Sequence, residues 1–246
     1  MTAGAAVVAA DRTGARRTAL RLGAACGVVG PILALIVNVV HPRPSTDEVG
    51  EHDAFLRDAA ESGNWLVIHL GLVLAFVLIA AGLVALAWSL ADERSWLPRA
   101  AMVSVLLATP LALVQATLDT AFRSIAEDWE AATGERKETM LRIGGAVEDV
   151  DFELLSVEIV LFFGITFVLF GLAVWTSAHY PRPLGLVAVL GGAGAVVVGL
   201  IQLLQAEATV ITLFVFPFFA AVLSLWVLAM SLFLWRRAGA APPRPG

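Results

Sequence analysis

A small set of polar and ionisable residues interrupts a chain that is otherwise strongly apolar, and their spacing limits what chemistry they can do. Gln115 and Asp119 are four apart, so on a helix they share one face, and Arg123 continues it and is placed to pair with Asp119. Asp151 and Glu158 are seven apart and point into the same space, with Ser156 nearby. His41 and His69 are the two histidines outside obvious loops, flanked by Asn38 and Trp65. Gln202 adds an amide from further along the chain. Two imidazoles with Asp119 and Asp151 as oxygen donors form a ligand set for Zn, Fe or Mn, and two histidines alone are a pair of axial haem ligands. Glu158, deepest of the acids, has the placement of a protonatable switch or general acid. The plain alternative is that these groups satisfy one another and cap a bundle.

Cys26 is the single cysteine, which excludes an intrachain disulfide and a cysteine-based metal cluster. No G-x-S-x-G, H-E-x-x-H or Walker-type loop is present. The basic residues form no patch, so a nucleic-acid partner is not expected.

The elements that must position these groups are membrane spans. Of 246 residues 59% are hydrophobic and only 15% charged, and the mean hydropathy is +0.84. A helix crossing the hydrocarbon needs about 20 mostly apolar residues. Six blocks reach that length: 19–40, 65–90, 97–119, 152–177, 184–205 and 209–235. The first is too long for the apolar core of a signal peptide and runs into Asn38-Val39-Val40-His41-Pro42 rather than a small-residue cleavage site. The fold expected is all-α, a polytopic bundle of six transmembrane helices in one domain, 18–237, with disordered cytoplasmic tails at 1–17 and 238–246. Short amphipathic helices are expected in the two long outer connections, one near 53–61 and one within 123–150, the second broken near Thr133-Gly134 and again at Gly144-Gly145. Pro31, Pro110 and Pro217 fall inside spans, where a kink is expected. Gly23 with Gly27, and Gly191 with Ala195 and Gly199, have the small-residue spacing of close helix contacts, more readily within the chain than between copies.

Ten Lys and Arg residues fall on the N-terminal side of the membrane and six on the other, whose loops are much longer. The positive-inside rule then puts both termini in the cytoplasm. Eighteen of the 21 acidic residues lie in the outer loops or the outer part of the spans. His69 sits about one turn, roughly 6 Å, into the second span, and every candidate site residue falls in the outer third. The inner halves of the spans are almost purely apolar. The pattern describes a polar pocket open to the extracytoplasmic face, for a small ligand, a lipid headgroup, or a divalent metal or haem. A proton-coupled transport path through Glu158 is the further alternative, disfavoured by the apolar inner half.

His41-Pro42, the run Asn64-Trp65-Leu66-Val67-Ile68-His69-Leu70-Gly71, Asp119, Asp151 with Ser156, and Tyr180-Pro181-Arg182-Pro183-Leu184-Gly185 together resemble a family of six-pass proteins from actinobacteria and related bacteria. The resemblance covers nearly the whole chain past residue 17. It implies the six-helix topology and a bacterial inner membrane, and it directs attention to His41, Trp65, His69, Asp119 and Asp151 without assigning them an activity.

Overall fold

The computed structural model describes residues 3–43, 46–49, 51–91, 95–205 and 209–239. Among these the secondary structure is entirely helical: α1 (Ala3–Val40), α2 (His52–Glu61), α3 (Trp65–Leu90), α4 (Leu97–Ala131), α5 (Glu135–Glu158), α6 (Thr166–Thr176), α7 (Arg182–Gln205) and α8 (Phe216–Gly239). A π-helical stretch, Ile159–Ile165, joins α5 to α6, and another, Ile211–Val215, leads into α8. Six helices are long and apolar enough to cross a membrane, with α5, the first π-helical stretch and α6 forming one rod, Glu135–Thr176, of 42 residues. The chain is an all-α polytopic bundle. α1 begins within the segment expected to be a tail, and 240–246 lie outside the described residues.

Two departures from the hydropathy reading matter for the site. The third span does not end at Asp119. It continues as α4 to Ala131, and the chain reverses through Gly134, whose φ of 57° suits a residue without a Cβ. The helical material expected in this connection is therefore a hairpin made by extending α4 and α5. Nor does the chain break at Gly144-Gly145. α5 runs straight through, because those glycines admit α2: a Cβ on Gly144 would come within 2.8 Å of the Leu56 side chain, and one on Gly145 within 2.9 Å of the His52 ring. α2 thus lies across the α4–α5 extension, burying Leu56 and Ala59 with Phe122, Ala126 and Trp129.

In a bilayer, helices associate through packing rather than a hydrophobic drive, so small residues decide how closely they approach. Gly27 and Gly82 bring α1 and α3 nearly into backbone contact, and Gly23 faces Ala85. Gly191 packs on Leu223 and Gly199 on Val160. These small-residue pairs are spent inside the chain. α1 also runs unbroken past Pro31, and α4 past Pro110.

The bundle has two unlike ends. At one, Arg17 donates from Nε to the Ala238 carbonyl and from Nη2 to the Gly239 carbonyl, both at 2.7 Å, tying the start of α1 to the end of α8. Ser89 at the close of α3 bonds the Tyr180 hydroxyl at 2.7 Å. Midway, Phe76, Phe162, Phe163, Phe167 and Trp226 form an aromatic layer, edge to face except for the parallel Phe163 and Phe167, with centroids 5.2 Å apart for Phe76–Phe162 and 5.7 Å for Phe167–Trp226. Beyond that layer, toward the end of α1 and the start of α3, the interior becomes polar.

Candidate functional site

A cavity of about 210 Å³ occupies this second end. α1 contributes Val37 and Asn38, and His41 follows directly; α3 supplies Trp65 and Phe76; α4 supplies Gln115 and Asp119; α5 supplies Glu148, Asp151 and Glu158. The walls descend through Ile79 and Phe216 to Phe163 in the aromatic layer. The cavity is acidic near its mouth and apolar below.

Gln115 organises the carboxyl groups. Its Nε2 donates to Asp119 Oδ2 at 2.8 Å and lies 3.1 Å from both Asp151 oxygens. One amide nitrogen has two hydrogens, so Asp119 and Asp151 converge on a single donor group. Two carboxylates held this way repel each other unless a proton or another cation lies between them. Glu158 is near enough to interact electrostatically with both. It is 1% exposed, and its Oε2 has no hydrogen-bond partner. Among the described residues no lysine or arginine pairs with any of the three. The π-helical stretch begins immediately after Glu158, and such irregular turns recur at functional positions.

The histidines form the second part of the site. His69 is fully buried, and His41 follows the last turn of α1. Their Nε2 atoms are 3.2 Å apart, and His69 Nε2 is 3.5 Å from Asp119 Oδ2. Each ring is anchored through its other nitrogen: His41 Nδ1 to the Pro42 carbonyl at 2.7 Å, His69 Nδ1 to the Trp65 carbonyl at 2.8 Å. Trp65 stacks obliquely on His69, with centroids 4.5 Å apart, and donates its Nε1–H to the Asp119 carbonyl at 2.7 Å. Burial, then the neighbouring His69, with a smaller push from Arg43, hold the His41 imidazole down at about 4, so it is neutral at ordinary pH. Haem does not fit this pair. Axial ligation puts a porphyrin between the two rings, and nitrogens 3.2 Å apart leave no room for one.

Other expected residues lie elsewhere. Arg123 pairs not with Asp119 but with Glu127 at 2.7 Å, and its Nη1 donates to the Ser62 carbonyl at the end of α2. Ser156 is buried, and its hydroxyl bonds back to the Phe152 carbonyl at 2.6 Å. Gln202 accepts from Thr209 at 3.3 Å. None of these three lines the cavity. His52, expected to be a solvated loop residue, bonds the buried Glu148 at 3.0 Å.

Three charged lining residues were not anticipated. Glu148 is one helical turn before Asp151, and that three-residue spacing was the available signal. Arg43 donates to both the backbone and side-chain oxygens of Asn38, and burial lowers its pKa. Asp58, on α2, has a buried Oδ2 without a partner, and burial, reinforced by Glu48, raises its pKa. Only the chain reversal that folds α2 over the mouth brings it here.

Six apolar spans around a polar, one-ended cavity define the class as a multi-pass membrane protein. Comparison with protein-family models, with curated proteins and with solved structures finds no match, so the site must be read from its own chemistry.

Proposed function

We propose that this is a bacterial inner-membrane protein, with both termini cytoplasmic, whose cavity opens to the extracytoplasmic side and binds a small ammonium-bearing amphiphile. The ligand is either a free amine or the amino headgroup of a lipid. The observation that carries this reading is Glu158: a carboxyl group at the cavity wall, sealed from solvent, with one oxygen unpartnered. A buried acceptor left unmade costs about 1–3 kcal/mol, and an ammonium group entering the cavity relieves that cost. Asp119 and Asp151, crowded on one amide, gain from the same positive charge. The apolar lower walls take a short hydrocarbon body. At about 210 Å³ the cavity is below the roughly 300–1,000 Å³ typical of drug-sized ligands, so the occupant is small.

The aromatic layer under Glu158 favours binding over passage. A transporter's site needs access from both faces, and Phe76, Phe162, Phe163 and Phe167 are packed together below it.

The test is binding of octylammonium to the full chain in nanodiscs, against octanol of the same length. Saturable binding of the amine alone is expected, and Glu158→Gln should weaken it about tenfold or more, the loss of a charge-assisted bond worth roughly 1.5–3 kcal/mol. Native mass spectrometry separates the two sources, because a retained aminophospholipid would identify the headgroup. Equal responses to amine and alcohol would defeat the proposal.

A further inference from the structure

The two imidazoles pose a problem that the carboxyl groups do not. A backbone carbonyl only accepts, so the Pro42 and Trp65 carbonyls fix a hydrogen on Nδ1 of both His41 and His69. In a neutral ring so anchored, Nε2 carries the lone pair. The two Nε2 atoms nevertheless face each other at 3.2 Å, with Asp119 Oδ2 3.5 Å from one of them. The two ring nitrogens therefore meet with Asp119 beside them, an arrangement that a shared cation, a proton or a metal ion, would hold together.

We propose that His41 Nε2, His69 Nε2 and Asp119 Oδ2 form a divalent transition-metal site, best suited to Zn²⁺, with its fourth position open to the cavity. Zn–N bonds of 2.0–2.1 Å at a tetrahedral angle hold two nitrogens about 3.3–3.4 Å apart, close to the separation found. Ligating histidines characteristically donate their other N–H to a backbone carbonyl or carboxylate, and both do so here. Trp65 reinforces the set twice, by its carbonyl on His69 and its indole on the Asp119 backbone. Among the described residues no three His, Cys, Asp or Glu side chains stand, as placed, in a group that could hold a metal ion. Closure takes rotation of the Asp119 carboxylate, whose terminal torsion is broad, away from Gln115 and toward His41. Both His41 and Asp119 line the cavity, so a bound ion would meet whatever enters. The site does not depend on the amine reading, which rests on Glu158.

The test uses metal-stripped full-length protein in nanodiscs, titrated with Co²⁺. One equivalent with the intense visible bands of tetrahedral cobalt is expected, displaced by Zn²⁺. His41→Gln, just past the end of α1 where no helix is interrupted, should weaken Co²⁺ binding at least tenfold, and His69→Gln likewise. His179→Gln, exposed beside Tyr180 at the opposite pole of the bundle, should leave it unchanged. If the wild-type protein takes up no stoichiometric cobalt, or if His41→Gln binds it as well as wild type, the shared cation is a proton and the metal site is refuted.

Discussion

Trp65 and Asp119 are joined across two helices by a single hydrogen bond, the indole Nε1–H of one donating to the backbone carbonyl of the other at 2.7 Å. The bond fixes the height of α4 against α3, and with it the height of the Asp119 carboxylate beside His69. Trp65 is also the residue whose carbonyl sets the His69 ring. One side chain thus aligns both halves of the site.

Trp65→Phe should therefore cost little stability and much function. The Asp119 carbonyl lies within α4, where its other lone pair serves the helix, so losing the indole donor costs about 0.5–1.5 kcal/mol. Thermal unfolding in detergent would show a small downward shift. Co²⁺ affinity should fall about tenfold, as for other groups that orient a ligand. A large loss of stability with unchanged affinity would make Trp65 a packing residue only.

Glu158→Met should move stability and binding in opposite directions. The substitution keeps the length of the side chain and removes a buried, unpartnered oxygen, a gain of about 1–3 kcal/mol. The thermal midpoint should rise while octylammonium binding disappears, the usual trade at a site held in an unfavourable state for its ligand. A lower midpoint would mean that Glu158 is already satisfied in the unliganded protein.

Asp58 provides a pH signature outside the spans. Burial raises its pKa above 3.8 in the folded protein, so the folded state holds a proton more tightly than the unfolded chain. Stability is then lost as pH rises through the interval from 3.8 upward, and none is lost below it. Asp58→Asn removes the charge and should raise the thermal midpoint at pH 7, with the difference closing as pH falls toward 3.8. A difference independent of pH would place Asp58 in solvent.

How far the sequence could be read depended on which physical signal each feature leaves. Trp65–Leu90 is bounded as its hydropathy predicts, because an apolar block ends where the bilayer does. The extension of α4 beyond Asp119 leaves no such mark, since a polar helix above the membrane resembles a loop in hydropathy. Gly144 and Gly145 look like a break but serve close approach, a distinction visible only once Leu56 and His52 are in place. Within the site, helical spacing placed Gln115 with Asp119 and Asp151 with Glu158. Arg123 had two acids at a four-residue spacing, Asp119 and Glu127, and spacing could not choose between them. Ser156 and Gln202 show a further limit. Spans apolar on every side carry no amphipathic phase, so depth is legible and facing is not.

Orientation decides what the cavity can meet. The bonds from Arg17 to the Ala238 and Gly239 carbonyls place the ends of α1 and α8 together, at the pole opposite His41. Arginine at a helix C-terminus also opposes the negative end of the helix dipole. Arg16, Arg17, Arg21, Arg236 and Arg237 all gather at this pole, and the positive-inside rule is the basis on which we propose it as the cytoplasmic one. Green fluorescent protein fused after Gly246 should therefore fluoresce, and alkaline phosphatase inserted between Thr133 and Gly134, at the α4–α5 reversal, should be active. The opposite pattern would turn the cavity toward the cytoplasm. His41 and Asp119 would then face the cell interior, and the proposed metal and amine would have to be supplied from there.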